Sequence, residues 1–140
     1  MAIQFKLVLK TLLNAAYSSS SGGSSAALDV QQYAVQPITL LVSARTGGTA
    51  TTTVTVEHSS DAGATDTYTA VPASALYDLN TGLAATFGTF STTVYSKALG
   101  LNTQQVKRYV RVTFAGTSIS QNVAVVAGVQ QDYTEVDATY

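Results

Sequence analysis

The sequence predicts an all-β protein, an antiparallel β-sandwich of about eight strands. Three observations carry this. Apolar residues recur at every second position in one segment after another, the period of a half-buried strand and not of a helix. The segments are short and are separated by Gly, Pro, Ser and Asp clusters that read as turns. Threonine and serine make up a quarter of the 140 residues (21 Thr, 14 Ser), and the stiff β-branch of threonine suits a pleated surface.

The elements follow in order. Residues 3–10 alternate, with Ile3, Phe5, Leu7 and Leu9 on one face and Gln4, Lys6 and Lys10 on the other. This is a half-buried strand extended by Leu12 and Leu13, a short amphipathic helix over residues 5–13 being the alternative. Residues 1–13 are read as an N-terminal strand or arm. Residues 14–27 contain Ser18-Ser19-Ser20-Ser21-Gly22-Gly23-Ser24-Ser25, the composition of a flexible linker or long loop. Residues 28–130 form the sandwich, and 131–140 a polar, acidic tail.

Within the sandwich, Leu28–Tyr33 is a short strand, and Ile38, Leu40 and Val42 share a face of the next. Thr51–Ser59 puts Val54, Val56 and His58 opposite Thr53, Thr55 and Glu57, before a turn at Ser60-Asp61-Ala62-Gly63-Ala64. Thr67–Val71 stops at Pro72. Residues 73–91 are mixed, and Thr92–Lys97 is a strand. Lys107–Phe114 points Val110, Val112 and Phe114 inward, with Tyr109 and Arg111 on the other face. Ser120–Val129 is apolar on both faces, as an interior strand is.

Charge narrows the function. Seven basic and eight acidic residues give a net charge of −1, and only 11% of the chain is charged, against about a quarter in an average domain. The seven cations are too few and scattered for the basic patch that a nucleic-acid partner requires. No run approaches the roughly 20 apolar residues of a membrane helix, and the interrupted N-terminus is unlike a secretory leader. The expectation is therefore no nucleic acid, no membrane, and manufacture in the cytoplasm. A surface made soluble by hydroxyls is easy to desolvate against another protein.

Catalytic and metal chemistry find little support. There is no Cys and a single imidazole, His58, so thiolate sites and two-histidine metal sites are excluded. His58 is expected to be a hydrogen-bonded residue at a sheet end or a subunit contact. No Gly-x-Ser-x-Gly elbow is present. Glu57, Asp61 and Asp66 flank one turn, but two carboxylates and a hydroxyl in Asp61–Asp66 fall short of the six to eight oxygens calcium takes. That turn reads as a polar hairpin tip. No catalytic residue, cofactor or metal is assigned, and the chain is expected not to be an enzyme.

The order of pieces resembles a known group. Ala27-Leu28-Asp29-Val30 follows the Ser/Gly stretch. Thr53-Val54-Thr55-Val56-Glu57-His58-Ser59-Ser60-Asp61 runs into the turn, and Tyr68-Thr69-Ala70-Val71 comes after it. Lys107-Arg108-Tyr109-Val110-Arg111-Val112 precedes Gly116-Thr117 and the closing strand Val123–Val129. Over residues 27–130 this resembles small bacteriophage head decoration, or cement, proteins, although here Ala62 precedes Gly63 and Ala64-Thr65-Asp66 lengthens the tip. The resemblance implies a jelly-roll sandwich that sits on the outside of the phage head, often as a homotrimer, and braces neighbouring capsomers. Its partners would be the major capsid protein and copies of itself, and its location the virion. Candidate interface residues are Ile3, Phe5, Leu7, Leu9, Tyr109, Arg111, Tyr133 and Tyr140, with the N-terminal strand as the contacting arm. The competing readings are a carbohydrate- or receptor-binding module of a phage tail or fibre, and a head–tail connector or tail component.

Overall fold

A computed structural model describes residues 5–33, 37–46, 51–91 and 94–132. Nine strands follow one another: β1 (Phe5–Ser24), β2 (Leu28–Asp29), β3 (Ile38–Thr46), β4 (Thr51–Ser59), β5 (Thr69–Ala70), β6 (Leu76–Tyr77), β7 (Gly88–Ser91), β8 (Val94–Leu101) and β9 (Tyr109–Asp132). Three single-turn 3₁₀ segments, Val30–Tyr33, Ala73–Ala75 and Thr103–Gln105, join some of them. No α-helix occurs among the described residues.

The two longest strands organise the molecule. β1 has 20 residues and β9 has 24, and they run antiparallel from Phe5 opposite Asp132 to Ser24 opposite Thr113. Each passes through both layers. The later part of β9, from Gln121 to Val129, also pairs with β3, whereas its first part, Tyr109 to Gly116, pairs with β4. Counting each long strand once per layer gives two antiparallel sheets of 5 and 6 strands.

Sheet I has the order β1–β9–β3–β8, with β6 added beyond β8. Sheet II has the order β1–β9–β4–β7, with β2 and β5 as short additions. In both layers β1 lies beside β9, with two further strands in line beyond β9. The expected sandwich is what the chain forms.

Both layers turn period-2 residues inward. Ile38, Leu40, Leu99, Val125 and Val129 of sheet I are fully enclosed against Val110 and Val112 of sheet II. Each such side chain contributes about 1.5–3 kcal/mol on burial. Two aromatic pairs lie toward the end of the core where β1 and β9 pass from one layer to the other. Tyr17 meets Phe114 edge-on at 5.0 Å, and Phe90 stacks on Tyr95 at 4.3 Å. Burial pushes the Tyr95 hydroxyl up to about 12, which keeps it protonated to donate to the Phe87 carbonyl at 2.7 Å.

Three expectations about elements need correction. Residues 14–24 are strand, not linker, because β9 supplies a ladder along their length, Gly22 lets the two backbones meet, and Gly23 leaves room for the Phe114 and Tyr17 rings. Lys107–Phe114 and Ser120–Val129 belong to one strand, not two, since β9 runs from Tyr109 to Asp132 and passes from one sheet to the other. Leu28–Tyr33 is strand only at Leu28–Asp29, after which the chain tightens into a 3₁₀ turn that buries Val30 and Tyr33.

Candidate interaction surface

The first half of β1 carries a surface whose origin lies in one register shift. Val8 and Lys10 face the core side, opposite Val129 and Ala127, and the Lys10 ammonium lies 5.1 Å from the centre of the Tyr33 ring. Leu7 and Leu9 therefore point outward and stand 69% and 68% exposed. A bulge between Thr11 and Leu13 then reverses the alternation, so that Leu13 and Tyr17 turn inward against the core. The alternating row of leucines is present as expected, but it is the outer row of its sheet and not the half-buried one.

Register extends this outer row across sheet I. Leu9 lies opposite Gly128, which lies opposite Thr39. Thr11 lies opposite Val126, then Leu41, then Ala98. Leu41 is 37% exposed. Ser43 and Ser96 form the next cross-strand pair, and Thr39 faces Gly100, over which the Tyr77 ring is laid. Among the described side chains of these strands, none on this face is charged. Leu7, Leu9 and Leu41 protrude beside a floor of small and hydroxyl-bearing residues, and exposed apolar side chains gathered on one face are of the kind that marks protein contact.

The opposite layer has a different chemistry. On the outside of sheet II, Glu57 and Arg111 pair at 2.9 Å, and the Arg111 guanidinium lies 3.9 Å above the Tyr68 ring. Threonines fill much of the remainder, Thr53 and Thr89 sharing a hydrogen bond of 2.9 Å. Arg108 pairs with Asp29, and Lys107 with Asp66. These three ion pairs all belong to this layer and its flanking turns. Exposed pairs of this kind are each worth about 0–1 kcal/mol.

The β4–β5 turn is closed on itself. Asp61 accepts hydrogen bonds from the backbone N–H groups of Ala64, Thr65 and Asp66 and from the Thr65 hydroxyl. Those donors hold its carboxyl well below the usual carboxylate range. Asp66 accepts from Lys107 and from the N–H and hydroxyl of Ser60, which lower it to about 2. Ala62 and Gly63 make the tip with φ of 60° and 85°. With their lone pairs spent on the turn, these carboxylates are structural, and no group of three metal-ligating side chains occurs among the described residues. Comparison with family models, curated proteins and solved structures finds no match.

The structure separates the candidate interface residues. Leu7 and Leu9 lie outside sheet I, whereas Tyr109 and Arg111 lie half-buried on sheet II, with Arg111 committed to Glu57 and Tyr68. The backbone of Phe5 pairs with Asp132 at the start of the leucine row. Ile3, Tyr133 and Tyr140 lie outside the described residues. Leu41, missed from the sequence, joins Leu7 and Leu9 only through the β9 strand between them. Its own alternation with Leu40 and Val42 was the available signal.

An open groove of about 320 Å³ lies where β5 and β7 leave a gap along β4. Val54, Val56, Val71, Pro72, Leu76 and Phe87 line it together with threonines and small residues. None of its lining side chains titrates near neutral pH, so it offers no acid–base pair.

Proposed function

We propose that the protein is a non-enzymatic virion structural protein that decorates the outside of a phage head and braces neighbouring capsomers. The observation that supports this reading is the outer face of sheet I, where Leu7 and Leu9 stand exposed and no described side chain is charged. Apolar anchors on a rigid sheet gain free energy when a partner excludes water from them. A sandwich layer holds them in a fixed array, so little conformational entropy is lost on docking. Repetition of the contact over a shell adds avidity to a modest single interface. The partners are the major capsid protein and further copies of this chain, in a homo-oligomer taken to be a trimer.

The test uses point substitutions. Deleting residues 1–13 would strip the pairing partner from the end of β9 and confound folding with binding. Leu7→Lys with Leu9→Lys leaves the core untouched, because both side chains already stand in solvent. The double variant is expected to keep its thermal midpoint within about 2–4 °C. It is expected to lose binding to undecorated shells in co-sedimentation, and self-association in analytical ultracentrifugation. A variant that coats shells and self-associates as the parent does would refute the reading.

A further inference from the structure

His58 stands near the end of β4 on the inner side of sheet II and is 9% exposed. Its Nδ1 accepts the backbone N–H of Lys107 at 3.2 Å, tying β4 to a segment 49 positions further along the chain. An imidazole accepts at Nδ1 only when that nitrogen carries no proton. The ring is therefore neutral with its proton on Nε2. A proton taken up at Nδ1 would set one N–H against another.

The surroundings of the ring concentrate this effect. Lys107, on the segment leading into β9, and Asp66, on the β4–β5 turn, are the charged groups that act on it. Burial and the Lys107 ammonium disfavour the imidazolium, and Asp66 offsets them in part, leaving the ring below its ordinary value of 6.5. Asp66 is itself engaged, holding the Lys107 Nζ at 2.8 and 2.9 Å, while its backbone carbonyl takes the Ser59 hydroxyl at 2.6 Å. Lys107 is thus pinned twice, by its backbone to His58 and by its side chain to Asp66. Next to it, the Arg108 carbonyl accepts the Val30 N–H at 2.8 Å.

We propose that His58 is an acid-sensitive latch: uptake of a proton at Nδ1 in mildly acidic solution releases the Lys107 backbone and loosens the segment from Thr103 to Arg108 at that end of the sandwich. The sign follows from the neutral ring being the bound form. The latch holds fully above 6.5, where folded and unfolded rings are both neutral, and is lost as pH falls through the lower folded value. The carboxylates next to it stay ionised throughout, so the lysine side-chain tether outlasts the backbone one.

Nuclear magnetic resonance on the full, ¹⁵N-labelled chain from pH 4.5 to 7.5 tests this. At neutral pH the ring nitrogens should report the Nε2–H tautomer. Protection of the Lys107 amide, corrected for intrinsic exchange, should fall with the same midpoint as the ring titration, below 6.5, while amides of β3 stay protected. His58→Asn keeps an acceptor at the Nδ1 position and cannot titrate, so Lys107 should remain protected over the whole range. Loss of protection in that variant, or unchanged protection at pH 4.5 in the parent, would overturn the proposal. If the variant does not fold, differing midpoints for the ring and the Lys107 amide in the parent chain overturn it equally.

Discussion

Ala62 shows how a single residue can be held out of its preferred conformation by its neighbours. Its φ of 60° lies in the left-handed region, which costs a non-glycine residue roughly 1–2 kcal/mol. Asp61 compensates by gathering three backbone N–H groups around one carboxylate. Replacing Ala62 by Gly removes the strain but frees the unfolded chain by about 0.4–1 kcal/mol. The balance predicts a gain of about 0.5–1 kcal/mol for Ala62→Gly, read as a higher denaturant midpoint with an unchanged slope. Asp and Gly marked this turn in the sequence, and its polar, self-contained character was legible there. The left-handed alanine was not, because its conformation is imposed by acceptors on either side and not by its own side chain.

At the scale of the element, β1 depends on a glycine. Gly22 has φ of 129°, and a Cβ placed there would lie 2.0 Å from the Phe114 carbonyl oxygen. That contact is backbone and cannot swing aside. Gly22→Ala is predicted to cost at least about 2 kcal/mol, since it combines a disfavoured φ with a steric clash. Thermal unfolding monitored by circular dichroism measures it, with Gly82→Ala as a comparison that also has a positive φ, of 70°, but no neighbour within 4 Å. Element by element, β4 and the start of β9 could be read from alternation because one side of each is core and the other solvent. Residues 14–24 could not, since Ser and Gly carry no hydrophobic period and their strand is induced by β9. The leucine row of β1 was legible as a row. Its side was not, because period 2 fixes which residues share a face without saying which face is buried. Lys10, long enough to lay its ammonium by Tyr33, occupies the inner side that the pattern assigned to leucine. Leu41 belongs to that same surface through tertiary register alone, which no local pattern records.

For the whole molecule, the carboxylates set the acid limit. Asp61 and Asp66 bind protons more weakly folded than unfolded, so between their folded values and the ordinary 3.8 the unfolded chain carries more protons. Stability from these groups is complete above 3.8 and drains away as pH falls through about 2, the folded value of Asp66. Denaturant midpoints measured from pH 5 to pH 2 should fall, and Asp61→Asn should flatten part of that fall while lowering stability at pH 5. An equally steep profile in the variant would assign acid lability elsewhere. The His58 step concerns one segment, so exchange at the Lys107 amide separates it from the global loss of stability.

Because the longest strands are antiparallel neighbours, Phe5 and Asp132 lie side by side at one corner of the sandwich. Tension applied across that pair would load the ladder one rung at a time, like a zip pulled from its open end, and not all rungs together in shear. A peptide or dye grafted near either position would emerge from the same point, beside the leucine row. Handles for pulling, labelling or cargo display attached at Phe5 or Asp132 therefore share a single exit, and a graft there would crowd the leucine row before it disturbed the ion-paired layer.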